Sequence, residues 1–86
     1  MSKNSSYERG KRWGYALFHS NLRMFGKSGL SLSDKTALTC RQYARDPGIK
    51  KTKSGKVLDA DTRRAYQGIT DGIYAAWRKF EQKFNK

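Results

Sequence analysis

The 86 residues leave room for one domain with a modest core, because a chain of this size buries only about 60–65% of the surface its unfolded form exposes. Hydrophobic residues at 36% exclude a large apolar interior, while two Trp, five Tyr and four Phe argue against full disorder. Nineteen Lys and Arg against seven Asp and Glu give a formal net charge of +12, and no stretch approaches the ~18 consecutive apolar residues of a membrane span.

Residues 1–4 read as a disordered start, and 5–86 as a single helical domain. Ser5-Ser6-Tyr7-Glu8 has the form of a capping box, with Ser5 as cap and Glu8 three residues on. Helix one is predicted to run from there to Met24 or Phe25. Tyr15, Phe18, Leu22 and Phe25 fall on one side of it, and a second apolar set, Trp13, Leu17 and Met24, lies nearly opposite. A polar stripe of Arg9, Arg12, His19 and Arg23 separates them. A helix apolar on two sides packs against more than its own small core.

Phe25-Gly26-Lys27-Ser28-Gly29 punctuates the chain as a turn. Helix two is expected to start at Ser31 or Ser33, with Asp34 in its first turn, and to stop at Asp46-Pro47-Gly48. Residues 49–58 carry Lys50, Lys51, Lys53 and Lys56 with no acid before Asp59. Ser54-Gly55 can turn a short β-hairpin there, and a flexible lysine loop is the alternative. Asp59 or Asp61 caps helix three, whose stripe of Tyr66, Ile69, Ile73, Trp77, Phe80 and Phe84 keeps steps of three or four to its end. The expected fold is thus mainly α, a three-helix domain with a basic loop or hairpin between helices two and three.

Gly10 and Gly14 in helix one, and Gly68 and Gly72 in helix three, each lie one turn apart. Glycine inside a helix costs about 1 kcal/mol relative to alanine. Small residues at this spacing let helix backbones approach closely, which predicts that helices one and three pack at short distance through these positions.

No catalytic constellation assembles. His19 is the one histidine and Cys40 the one cysteine, so no histidine pair, disulfide or multi-cysteine zinc site is expected. Cys40 reads as a small buried or half-buried thiol in a reducing compartment. Glu8, Asp34, Asp46, Asp59 and Asp61 read as caps, and Asp71 and Glu81 as solvated helix charges. Between Gly48 and Gly55 stand six residues rather than the four of a phosphate loop, and Val57 replaces the metal-binding hydroxyl. The expectation is a protein that is not an enzyme and needs no cofactor or metal. The N-terminus has no apolar stretch for a signal peptide, so the cytoplasm is the expected location.

What remains is a basic surface with aromatic residues among the charges, in three clusters. Arg9, Lys11, Arg12 and Arg23 form the first, with Trp13 alongside; Lys50, Lys51, Lys53 and Lys56 the second; Arg63, Arg64 and Arg78 the third, with Tyr74 beside them. Arginine engages phosphates bidentately and stacks on bases, whereas lysine acts as a mobile point charge. Such a surface suits a small accessory protein that tracks nucleic-acid phosphates, DNA or RNA, with little sequence specificity. The alternative is a phage- or plasmid-type inhibitor or adaptor docking on a host machine that handles nucleic acid, because Trp, Tyr and Arg dominate interface hot spots. A membrane partner is disfavoured, since no helix joins a clean apolar face to a lysine-rich one. Oligomeric state stays open.

Overall fold

The computed structural model describes residues 5–46, 48, 55 and 58–84, the side chain of Phe84 excepted. Three helices follow one another: α1 (Ser5–Phe25), α2 (Lys27–Arg45) and α3 (Ala60–Phe84). The mainly α, three-helix reading holds. No strand forms among the described residues; residues 1–4, expected to be disordered, and most of 49–58, expected to be a loop or hairpin, lie outside them.

The break between α1 and α2 is a single residue, not the five-residue turn expected. Gly26 takes φ 59°, ψ −133°, a conformation that only glycine adopts without strain. Its N–H still donates to Leu22 O at 2.9 Å, and its own carbonyl accepts from Gly29 N–H at 2.9 Å. One residue therefore reverses the chain, and α2 starts four to six residues before the serines expected to cap it. Ser33 is fully buried inside the helix and accepts a hydrogen bond from Asn21 Nδ2 at 3.1 Å. Ser31 is exposed. Asp34 correspondingly sits in the body of α2 rather than in its first turn.

The other ends follow the sequence more closely. Helix α1 begins at Ser5 itself, so its cap position falls on residue 4, outside the described residues. Asp46 ends α2, its N–H donating to Gln42 O at 2.7 Å. Asp59 caps α3, accepting from the Thr62 N–H at 2.8 Å, and this bond, with a second from the Thr62 hydroxyl, holds its carboxyl below the usual range. Leu58, just ahead of that cap, is buried.

The contact between α1 and α3 is the most extensive in the molecule. It is built on the four glycines. A Cβ at Gly10 would strike the Ala65 carbonyl, one at Gly14 the Ile69 carbonyl, one at Gly68 the Tyr7 carbonyl, and one at Gly72 the Lys11 carbonyl. Residue numbers rise together along this line of contacts, so α1 and α3 run parallel, and α2 returns antiparallel between their ends. Backbones this close allow Cα–H···O=C contacts across the interface, each a modest contribution.

Close approach leaves little volume for side chains, and the fully enclosed core is small: Phe18, Ala37, Ile73 and Ala76. Tyr15, Leu17, Leu22, Leu30, Ile69, Tyr74, Trp77 and Phe80 pack around it half-buried. Phe18 meets the Trp77 ring at 5.5 Å and the Phe80 ring at 5.9 Å, both at favourable inclined angles. Tyr43 and Tyr66 pair edge-on at 5.2 Å where α2 and α3 meet near the other end. Principal extents of 46 × 28 × 18 Å make the molecule a slab less than two helix diameters thick.

Candidate cationic binding surface

Charge is arranged on this slab by helical spacing. On α1, Arg9, Arg12, Ala16, Ser20 and Arg23 recur at steps of three or four and are all exposed, which makes them one outward ridge. No acid stands on it. Helix α2 carries a comparable ridge of Lys27, Ser31, Lys35, Leu38, Gln42 and Arg45, again exposed, with Arg41 exposed beside it and the half-buried Asp34 as the one acid on that side. Among the described residues one ion pair forms, Arg64 Nη1 to Asp61 Oδ1 at 2.7 Å. The ridge cations thus enter no ion pair among the described residues, although Glu8 shares a groove with Arg12 and Asp61 shares one with Arg9.

The first expected cluster is brought together in part. Arg9, Arg12 and Arg23 share the α1 ridge, whereas Lys11 projects from a different side. There Lys11 lines a groove of about 440 Å³ with Glu8, Arg12 and Tyr15. Lys79 from α3 adds to that side, its Nζ 5.6 Å from the centre of the Tyr15 ring. Trp13 is 54% exposed, and with Ser6, Arg9, Gly10, Asp61, Thr62, Ala65 and Ile69 it lines a shallow groove of about 420 Å³ between α1 and α3.

The third cluster does not form one patch. Arg63 and Arg78 are 15 residues apart on α3, about 22 Å along its axis. Arg63 is half-buried with Arg64, Ala44, Ala60 and Gln67 around it, and its Nε–H reaches no acceptor among the described residues. Arg64 is committed to Asp61. Arg78 is exposed in a groove of about 270 Å³ with Asp34, Glu81, Trp77 and Tyr74, so two carboxylates offset its charge locally. Tyr74, half-buried against the core, stands beside Arg78 as expected, while Arg63 lines a different groove. The second cluster, Lys50, Lys51, Lys53 and Lys56, lies outside the described residues.

Asp71 also departs from expectation. It is no solvated helix charge: Tyr7 Oη–H donates to its Oδ2 at 2.6 Å and Gln67 Nε2–H to its Oδ1 at 3.0 Å. The bond to the carboxylate, with some burial, pushes the Tyr7 hydroxyl above its ordinary pKa. Among the described residues no group of three or more His, Cys, Asp or Glu is placed to hold a metal ion, and no helix is long and apolar enough to cross a membrane.

The α2 ridge is the feature that a reading by clusters passed over. Lys27, Lys35, Arg41 and Arg45 are scattered in sequence, and only the 3.6-residue period gathers them onto a single side of the helix. No family model, curated protein or solved structure matches the chain.

Proposed function

We propose that the protein is a non-enzymatic accessory factor that binds nucleic acid mainly through phosphate-backbone contacts, with low sequence specificity. The carrying observation is the pair of exposed cationic ridges on α1 and α2, whose arginines and lysines make no ion pairs among the described residues. A polyanion laid along such ridges relieves their mutual repulsion and releases its own counterions. The slab shape helps, because a thin molecule presents a large cationic area for its mass. In this reading Arg9, Arg12 and Arg23 supply bidentate phosphate contacts, Lys27, Lys35, Arg41 and Arg45 extend them, and Lys50, Lys51, Lys53 and Lys56 add further positive charge. Cytoplasmic location accompanies the proposal.

Fluorescence anisotropy with labelled single-stranded DNA, duplex DNA and RNA at two salt concentrations tests it. Neutralisation of six to eight phosphates predicts a log–log salt slope of roughly −5 to −7 on duplex DNA. Binding weaker than micromolar to every polymer at ~150 mM salt, without preference, is ordinary non-specific attraction and removes the reading.

A second reading has its own observation. Trp13, Met24, Phe25, Leu32 and Leu38 are 43–68% exposed, more large apolar surface than phosphate contacts require. This favours an inhibitor or adaptor that docks on an acidic surface of a protein machine handling nucleic acid. Charge reversal of Arg9, Arg12 and Arg23 disables the first function most, whereas Met24→Ser with Leu32→Ser disables the second.

A further inference from the structure

We infer that the groove between the N-terminal halves of α1 and α3 is a stacking subsite for one unpaired nucleobase, with Trp13 as its platform. The inference rests on the nucleic-acid reading and deepens it, from phosphate tracking to preference for single strands.

The groove owes its shape to the glycine crossing. Gly10 brings the α1 backbone against Ala65, so the floor between the helices is made of Gly10, Ala65 and Ile69 with no long side chain to fill it. Trp13, one turn beyond Arg9, stands at its edge with half of the indole uncovered. An exposed flat ring beside a shallow, small-residue floor accepts a planar heterocycle face-on. Paired bases inside a duplex keep both faces covered by their neighbours and offer nothing to such a platform.

Polar groups at the rim suit the remaining parts of a nucleotide. Arg9 lies on both the groove and the outward ridge that continues through Arg12 to Arg23, so a strand with one base in the groove keeps its phosphates on cations. Ser6 offers a hydroxyl to base edges, whereas the Thr62 hydroxyl donates to Asp59 and is left only as an acceptor. Asp61, the one acid at the site, is held by Arg64 at 2.7 Å, which offsets its repulsion of a passing phosphate.

The test uses the full chain, a dT12 oligomer, an rU12 oligomer and a 12-base-pair duplex at equal phosphate concentration and ~150 mM salt. Binding of the single strands is expected to quench tryptophan fluorescence, and Trp13→Ala to weaken them about tenfold, the lower-middle range for loss of one base–aromatic stack. Duplex affinity is expected to change less than twofold, and Trp13→Phe to retain most of the single-strand preference. A circular dichroism spectrum and urea midpoint unchanged in Trp13→Ala establish that the fold is intact; if that variant unfolds, Trp13→Phe and Trp13→His carry the comparison. Equal loss on single strands and duplex, or no loss on either, overturns the stacking subsite while leaving phosphate binding standing. Absence of binding to all three polymers overturns both readings. A difference between dT12 and rU12 identifies which single strand the site takes.

Discussion

Single atoms decide how close α1 and α3 come. A methyl at position 72 would lie 2.8 Å from the Lys11 carbonyl carbon and 2.9 Å from the Tyr15 nitrogen, and both are backbone that cannot swing away. Alanine in an ordinary helix interior is worth about 1 kcal/mol over glycine. Here overpacking reverses the sign, so Gly72→Ala is expected to destabilise by about 1–3 kcal/mol in urea unfolding; a gain of stability would mean that the two backbones are not held in contact. Tyr7 acts at the same crossing through its bond to Asp71. Tyr7→Phe is expected to cost about 0.5–1.5 kcal/mol at neutral pH, the usual net value of a hydrogen bond. The Tyr7 hydroxyl titrates higher folded than unfolded, so its contribution is complete below pH ~10 and declines as pH rises through the folded value. The stability gap between wild type and Tyr7→Phe, measured by urea midpoints from pH 8 to 11, should narrow above pH ~10.

At the scale of elements, the α1–α2 hairpin turns on one glycine and is locked by one buried polar pair. Ser33 is fully buried and Asn21 nearly so, and the Asn21 amide donates to the Ser33 hydroxyl at 3.1 Å. Ser33→Ala leaves that amide without this acceptor, an expected loss of about 1–3 kcal/mol. Replacing both, as Asn21→Leu with Ser33→Ala, should recover part of the loss, and a double-mutant cycle in urea reads the coupling. This pair explains why the start of α2 was not legible locally. Ser31 and Ser33 carry the composition of a cap, but tertiary contact with α1 draws Ser33 into the helix interior, and Gly29 lies against the Asn21 backbone. Helix α3 was legible because its Tyr66-to-Phe80 stripe is long and its core position is simple: Ile73 is fully buried and its neighbours pack around it. The close crossing was legible too, since four glycines one turn apart have few other uses in helices. The binding surface was less so. Sequence clusters such as Arg63, Arg64 and Arg78 split over the length of α3, while scattered Lys27, Lys35 and Arg45 align. Asp71 gave no local sign of its partner, because Tyr7 is 64 residues away.

For the whole molecule the governing quantity is unneutralised charge. A net charge of +12 on 86 residues accompanies, among the described residues, one exposed ion pair within a single turn of α3, a kind of pair worth well under 1 kcal/mol. Screening therefore has little attraction to weaken and much repulsion to remove. The ridge charges on α1 and α2 lie within a few Debye lengths of one another at low salt, where the screening length is about 30 Å at 0.01 M, and are largely isolated at 0.15 M, where it is about 8 Å. Thermal stability is accordingly expected to rise when NaCl goes from about 10 to 300 mM, and to rise further at equal ionic strength with sulfate or phosphate, which also strengthen apolar burial. A scan by circular dichroism reads it directly. Charge reversal should act in the same direction: Arg12→Glu with Arg23→Glu lowers the net charge from +12 by 4 to +8, so it should raise the melting temperature at low salt and flatten its salt dependence. The same variant should weaken polyanion binding and reduce the salt slope by about 2 units, one for each phosphate contact removed. Stability and binding thus respond oppositely to the same two substitutions, which separates a surface shaped by its partner from one that merely keeps the protein in solution. A variant that gained stability with no loss of binding would assign the phosphate contacts to the α2 ridge instead.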